Sequence, residues 1–457
     1  MGSPKAIKIR VKQGASVKVR TKIASSAAAF AACLSLSGCL GMGQGPEVSR
    51  AVSVDAALPA PPPAALNSQM QDGTRSQIIE DLLNRRSVIE PGPLRDVADA
   101  VMAANSRAAE ADLRAAMLRS QARSMNWLPS IGPQVSLTSL GAVVAAMVVE
   151  QVLFDNGAKR AERDYAKADV EVAAVALAQD SNDRVLQALE LYLNAEAARA
   201  RAQVNGAGME RMQHFVYIMT ERVNAGISNR ADLQVVEQKQ NQMLSDMASD
   251  TEAAAAALSE LQAMAADPMG GLSGLSGLAA PAPNAVALSV LKASAESTRA
   301  VAGAHAARAG FLPGLSVGGT VNGDGNNIGA TVAAPNGFGF GLGANLSAIE
   351  AEEAAAVARV GQETEDANRA VAALQGRLDS LRRQAAEAGD LATQAGANYE
   401  LFAEQQRAGQ RGVSDVVGVF ETKIMAERAA VEMRYDIARV QLRIAARLGL
   451  LVDGERM

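Results

Sequence analysis

The chain of 457 residues carries two histidines and two cysteines, which limits the chemistry its side chains can perform. His214 and His305 fall in separate helical stretches. Neither stands in a metal-ligand spacing such as H-E-x-x-H, so both are expected to be ordinary helix-surface residues. The stretch GTVNGDGNN (Gly319 to Asn327) has a passing similarity to a calcium loop, but it lacks the ligand spacing and the terminal glutamate, and it reads as a turn between strands. GGLSGLSGL (Gly270 to Leu278) has no lysine to hold a phosphate and reads as a flexible connector. No enzyme, no cofactor and no metal site is expected. The polar residues that do stand out form two matching sets, in VNAGISNRADLQVVEQ (Val223 to Gln238) and RAGQRGVSDVVGVFE (Arg407 to Glu421). In each, an aspartate follows a glycine by six positions: Gly226 and Asp232, then Gly409 and Asp415. Glycine ends a helix in a left-handed conformation, a polar residue caps the next helix, and an acid in its first turn suits the helix dipole. Gly226, Ser228 and Asn229, and then Gly409, Gly412 and Ser414, fit that recipe for two helical hairpins.

The N-terminus reads as a processing segment. Seven lysines and arginines and no acid lie between Met1 and Lys22, followed by the short apolar run IASSAAAFAACLSLSG. The run is too short to span a bilayer comfortably, which takes about 20 apolar residues. LSGC (Leu36 to Cys39) resembles the lipobox of bacterial lipoproteins, in which the cysteine thiol is lipidated and becomes the mature N-terminus. The alternative is a plain signal peptide cut elsewhere. On the lipoprotein reading, residues 1–38 are a signal peptide, Cys39 carries lipid and Cys33 leaves, which excludes thiol catalysis and cysteine-bound metal. The net charge then moves from −5 to −12, because seven cations and no acid are removed. An exported acidic chain is a poor nucleic-acid binder.

The elements that position the two turns are long. Residues 39–90, with the proline-rich LPAPPPAAL, read as an extended leader. A first helix is expected to start after PGPLRDVADAV (Pro91 to Val101) and to run to about Met125, then two strands within Asn126 to Gly157, although GAVVAAMVV alone could equally be a buried helix segment. From Ala158 to Asn224 there is no proline. Tyr165, Ala168, Val172, Val175, Leu186, Leu189 and Leu193 keep coiled-coil spacing, with Gln179 and Asn182 at the two missed seam positions. Such a helix is about 100 Å long. A second helix covers about Arg230 to Met264. A low-complexity connector, residues 267–285, leads to a helix from Val286 to Ala309 and to two more strands within Gly310 to Ser347. A second long helix, about Ala348 to Ala408, carries the seam Val371, Leu374, Leu378, Leu381, Ala385, Ala388 and Ala392, and a last helix runs from about Val413 to Leu448. Aromatics are only 3% of the chain, which suits closely packed alanine-rich helices better than a globule.

Residues 91–266 and 286–450 thus share one plan, with residues 451–457 as a tail. Leu128-Pro129 recurs at Leu312-Pro313, an offset of 184; Gly226 with Asp232 recurs at Gly409 with Asp415, an offset of 183; Leu258 recurs at Leu442, an offset of 184. Constant offsets point to tandem duplication. With NWLPSIG and GFLPGLS before the strands, EQVLFDNGAKRAERDYAKA entering the long helix, and the closing ARVQLRIAARLGL, the chain resembles the TolC-like outer-membrane efflux proteins.

The resemblance implies a mainly α fold with a small β part: two tandem repeats of a strand pair and a long coiled-coil hairpin, assembled as a homotrimer into a shared β-barrel and an α-helical tunnel. It implies a passive exit duct in the outer membrane and periplasm, serving drug efflux or type I secretion, with a periplasmic adaptor docking at the hairpin turns and an inner-membrane exporter supplying the energy. It implies that Arg411 and Asp415, with Asp232 in the first turn, line the closed periplasmic entrance. For Asp232 a capping role stands equally beside this one. Membrane barrels usually carry aromatic girdles, and here the first strand pair has almost none and the second only Phe338 and Phe340. A periplasmic coiled-coil lipoprotein acting as scaffold or adaptor without a pore is the rival reading, and a filamentous structural protein the third.

Overall fold

The computed structural model describes residues 76–456 except 105–107, 138–142, 267, 268, 270, 282–284, 323, 324 and 338. The expected signal peptide, the lipidated Cys39 and Phe338 lie outside the described residues.

Among the described residues, eight α-helices and four strands follow one another in the order α1 (Gln77–Leu83), α2 (Pro93–Ala103), α3 (Ala108–Ser124), β1 (Ser130–Leu137), β2 (Val143–Phe154), α4 (Ala158–Asn224), α5 (Arg230–Met264), α6 (Leu288–Ala309), β3 (Gly314–Asn322), β4 (Gly325–Ala333), α7 (Leu342–Arg407) and α8 (Val413–Arg447), with a short 3-10 turn at Gly454–Arg456. The order helix, two strands, long helix and shorter helix occurs twice. The bounds expected for α4 and α5 match. The start of α4 is set locally: the Asp155 carboxylate accepts the N–H groups of Gly157 (3.0 Å) and Lys159 (2.8 Å), satisfying donors that a helix N-terminus leaves open.

The two expected strand pairs form one antiparallel sheet in the order β1-β2-β3-β4, because β2 also pairs with β3. The GAVVAAMVV stretch contributes its described part, from Val143, to a strand and not to a helix. Four further expectations are corrected. The stretch ahead of the expected first helix is itself a helix, α2, and the expected helix is α3. The leader does not stay extended to residue 90, since α1 places Leu82 and Leu83 in the core, followed by Val88 and Ile89. The low-complexity connector is tied down: Ala279 N–H donates to the Val88 carbonyl (2.8 Å), and the Tyr192 hydroxyl donates to the Gly274 carbonyl (2.8 Å). The C-terminal tail also belongs to the core, where Leu451 and Val452 are buried. The leader, the connector and the tail each find partners from a distant part of the chain: Val88 N–H donates to the Leu450 carbonyl and Leu451 N–H to Asn182. Buried Arg85 donates to the carbonyls of Leu448 and Val286 and to Asp81.

The helices are unequally buried. On α4, 25 of 67 residues are buried, but on α7, only 7 of 66. Accordingly α4 has neighbours on several sides (α3, α5, α6 and α8), whereas α7 packs on α6 and α8. The seam expected for α7 is there as one narrow stripe, with Leu378 and Leu381 buried. The seam expected for α4 is only part of a much wider buried surface, in which Asn182 donates to the Ala178 carbonyl (2.8 Å) and accepts the Leu451 N–H (2.9 Å).

Close helix packing is clearest at Gly208 on α4. A Cβ there would stand 2.8 Å from Ile424 Cδ1 on α8 and 3.2 Å from Phe420 Cζ. Gly206, two residues before Gly208, has only Met247 Sδ at 3.9 Å. Gly208→Val should cost about 1–3 kcal/mol of stability through overpacking, whereas Gly206→Ala should be neutral or stabilising, by up to about 1 kcal/mol from helix propensity. Thermal unfolding followed by circular dichroism checks the pair.

Candidate functional site

The hairpin ends carry the residues singled out in the sequence. Both glycines are left-handed, Gly226 at φ 73° and Gly409 at φ 74°. The helix ends before them are closed alike: Gly226 N–H donates to Val223 and Ile227 N–H to Arg222, while Gly409 N–H donates to Gln406 and Gln410 N–H to Gln405. These are the paired bonds of a Schellman cap. The starts of the next helices differ. In the first turn Asn229 is the cap, its side-chain oxygen accepting the Asp232 N–H at 2.8 Å, and the Ser228 hydroxyl accepts from Arg222 at 3.1 Å. In the second turn the cap position is Gly412 and no side chain caps, so the polar cap expected from the sequence is present only once. Ser414 and Asp415 are exposed in the first turn of α8, and Asp232 is half-buried in that of α5.

Arg411 and Asp415 share a turn but make no ion pair with each other. The Arg411 guanidinium lies 3.9 Å from the centroid of the Phe402 ring and donates to Gln405 Oε1 at 2.7 Å. Behind it sits a second core, separate from the main one, built from Met212, Phe215, Val236, Tyr399, Val416 and Phe420. Phe420 meets Phe215 edge-on with ring centroids 5.7 Å apart. Burial raises the Tyr399 phenol above its ordinary value, with Arg211 pulling the other way, so the ring stays neutral and acts as packing.

An ion network that sequence reasoning missed links the hairpins midway. Arg201 on α4 donates to Asp250 on α5 (2.9 Å) and to Glu432 on α8; Arg428 reaches Asp250 at 2.8 Å, and Arg439 reaches Glu432 at 3.2 Å. Desolvation opposes the Arg201 charge, but the hydrogen bonds it donates to Asp250 and Glu432, with their negative charges, outweigh it and hold its pKa above the ordinary value. The partners come from three helices and are 49 and 231 residues apart, so no local pattern could reveal them. The histidines take no part in any such site. His214 is exposed, and His305 faces Glu353 at 3.3 Å. Among the described residues no group of three or more metal-binding side chains occurs.

The sheet divides into two chemical faces. Directly opposed residues of antiparallel strands share a face. Ile131 pairs with Val149, Met147 with Val321, Gly319 with Ile328 and Leu315 with Val332, which collects apolar side chains on one side. Ser130 opposite Glu150, Val148 opposite Thr320, and Ser316 opposite Thr331 collect mostly small and polar ones on the other. The apolar face is bare: Ile131, Val135, Met147, Val321 and Val332 are exposed, and Ile328 is 80% exposed. This alternation, with no aromatics needed, was the legible signal of the strands' purpose. Among the described residues no helix is long and apolar enough to cross a membrane, which says nothing of a β-barrel.

No protein-family model matches the sequence, and no curated protein does. Solved structures do match. The chain is similar to a membrane protein from Pseudomonas aeruginosa (TM-score 0.70, 19% identity, covering 80% of this chain and 92% of that one). It is similar to the outer membrane protein VceC of Vibrio cholerae (TM-score 0.67, 15% identity, 78% and 96%) and to the open state of the MtrE outer membrane channel of Neisseria gonorrhoeae (TM-score 0.62, 16% identity, 91% and 99%). The fold is therefore the TolC-like fold of outer-membrane channels.

Two mutational outcomes follow from this geometry. Asp250→Ala leaves Arg201 with Glu432 alone and Arg428 without its carboxylate and should destabilise by about 1–3 kcal/mol, against no more than about 1 kcal/mol for Asp379→Ala, whose ion pair to Arg382 is exposed. Gly409→Ala, forced to φ 74°, should cost about 1–2 kcal/mol. Thermal melts of the three variants order them.

Proposed function

We propose that the chain is one protomer of a trimeric exit duct: a β-barrel in the outer membrane continued by an α-helical tube through the periplasm. One observation carries this reading. Each contact that joins the two repeats within a chain has an unmade counterpart. Within the chain β2 pairs with β3, α4 packs on α8, and α4 packs on α6. By the duplicated plan, the counterparts are β4 with β1, α7 with α5, and α7 with α3. In a single chain β1 and β4 are the sheet's two ends, and α7 is the sparsely buried helix, with Val357, Leu391 and Leu401 exposed. All three missing contacts are satisfied at once when the second repeat of one copy meets the first repeat of the next. Such head-to-tail contacts close into a ring when the rotation permits.

The number three comes from the family resemblance. Three copies of the four-stranded sheet give twelve strands. The bare apolar face then turns to lipid and the polar face to the lumen, the arrangement of a membrane barrel. A pore-free scaffold would leave that apolar face in water. Transport is passive, and the pump is an inner-membrane exporter joined through a periplasmic adaptor at the hairpin turns. Cys39 carries the N-terminal lipid. Threefold symmetry turns each Asp415 and Asp232 into a ring favouring cations, and Arg411, held by Phe402 and Gln405, stiffens the closed end.

Purified protein in planar bilayers should therefore conduct ions, with cation preference. Arg411→Ala should raise single-channel conductance about two-fold or more, since a cation–π contact and a hydrogen bond to a charged group together hold only a few kcal/mol. Absence of any conductance would contradict the duct, and unchanged conductance in the variant would contradict the role of Arg411.

A further inference from the structure

We propose that Glu150 sets the charge preference of the barrel: three copies of its carboxylate, one from each protomer, face the lumen as a ring that favours cationic over anionic solutes. The proposal rests on the channel reading above. It names a specificity-determining residue at the membrane end of the duct, a full length of α4, about 100 Å, from the turns that carry Asp232 and Asp415.

Glu150 is the single charged residue among the described strand residues. SIGPQVSL (β1), GLSVGGTVN (β3) and GNNIGATVA (β4) contain none, and VVAAMVVEQVLF (β2) contains this one. The register fixes its face. Glu150 lies opposite Ser130 of β1 and Gly318 of β3, on the side where Val148 pairs with Thr320 and Ser316 with Thr331, away from the apolar side of Ile131, Met147 and Val332. Charge on the lipid side of a barrel destabilises it, whereas charge on the lumen side tunes selectivity. The residue stands four positions before the end of β2, roughly 13 Å along the strand from the helix-facing end.

The row of directly opposed residues that contains Glu150 is otherwise nearly empty. Across the sheet it reads Ser130, Glu150, Gly318, Gly329. The backbone does not require either glycine, since neither has a left-handed φ. Packing does not require them: a Cβ on Gly318 would meet the Val149 carbonyl oxygen at an ordinary 3.5 Å, and one on Gly329 would meet nothing within 4 Å. What the two glycines do is leave the row open, so that no side chain from β3 or β4 covers the carboxylate or narrows the passage beside it. Glu150 is exposed and makes no ion pair among the described residues. The Ser130 hydroxyl donates to its backbone carbonyl at 3.3 Å, which leaves the carboxylate to the solutes that pass.

The dimensions suit a field that sorts ions without holding them. Twelve strands about 4.8 Å apart and tilted by about 40° enclose a barrel roughly 24 Å wide between backbones. The carboxylates then stand within about 10 Å of the axis, close to the Debye length of about 10 Å at 0.1 M salt. Three charges at that distance raise the cation-to-anion ratio on the axis about four-fold, and hardly at all at about 1 M, where the Debye length is about 3 Å.

Reversal potentials of the full chain in planar bilayers, under a potassium chloride gradient centred at about 0.1 M, test the ring. Glu150→Gln should lower the potassium-to-chloride permeability ratio about four-fold, and the difference from wild type should vanish at about 1 M. Glu150→Cys should behave like Glu150→Gln until a negatively charged methanethiosulfonate, added in the aqueous phase, restores the wild-type ratio. That comparison is made within one assembled protein, so a folding defect cannot imitate it. Asp324, between β3 and β4 in the sequence, lies outside the described residues, and Asp324→Asn should leave the ratio unchanged. A conducting Glu150→Gln channel with the wild-type ratio, no restoration by the reagent, or a shift in Asp324→Asn as large as in Glu150→Gln overturns the ring and leaves the channel standing. Absence of conductance from the wild-type chain overturns the channel reading and the ring with it.

Discussion

The backbone N–H and C=O groups along the outer edges of β1 and β4 have no strand partner within the chain, and the face they border is bare and apolar. Water can satisfy those edges but not that face. Lipid can satisfy the face but not the edges, because each unpaired backbone group in hydrocarbon costs several kcal/mol. On the proposed reading closure of the sheet meets both demands, with other chains supplying the strands that a four-stranded sheet lacks. The helices face the same incompleteness in a different form: α4 is surrounded while α7 shows a single buried stripe and an open remainder.

What holds each protomer ready for that assembly is packing by small residues and a few well-placed charges. Gly208 lets α8 approach α4 closely enough for Phe420 and Ile424 to touch it. Arg201, Asp250 and Glu432 tie α4, α5 and α8 at one level, so the two hairpins are coupled midway as well as by the aromatic core near their turns. The segment around Arg85, together with the connector and the C-terminal residues, wraps the middle of α4 and fixes where the repeats meet.

Much of the helical plan was legible because its signals are local. The bounds of α4 and α5 follow from Asp155, Gly226 and Asn229, each acting on backbone groups within a few residues. The left-handed glycines were readable for the same reason. The second turn misled only in its cap, because Gly412 occupies that position and carries no acceptor. What could not be read was long-range. The pairing of β2 with β3 joins residues such as Val149 and Gly319 from different repeats. The folding of residues 77–90 and of the connector onto the core depends on partners such as Leu450, far along the chain. The strands are marked by alternation, from Ile131 and Val135 to Ile328 and Val332, and not by aromatics. Of the candidate site, the turns were found, the ion network was not, and Arg411 was found without its partners Phe402 and Gln405.

The most direct test of head-to-tail closure is a disulfide between the surfaces left open. Val235 on α5 and Leu401 on α7 are both exposed near the hairpin turns. Within the chain, the corresponding level of α4 and α8 is packed, with Ile218 and Val419 against the second core. A chain with Val235→Cys and Leu401→Cys, whose own Cys33 leaves with the signal peptide and whose Cys39 thiol is blocked by lipid, should give on mild oxidation a covalent ladder that ends at three chains. A bond formed within one chain, a ladder that continues beyond three, or no bond at all would contradict the account.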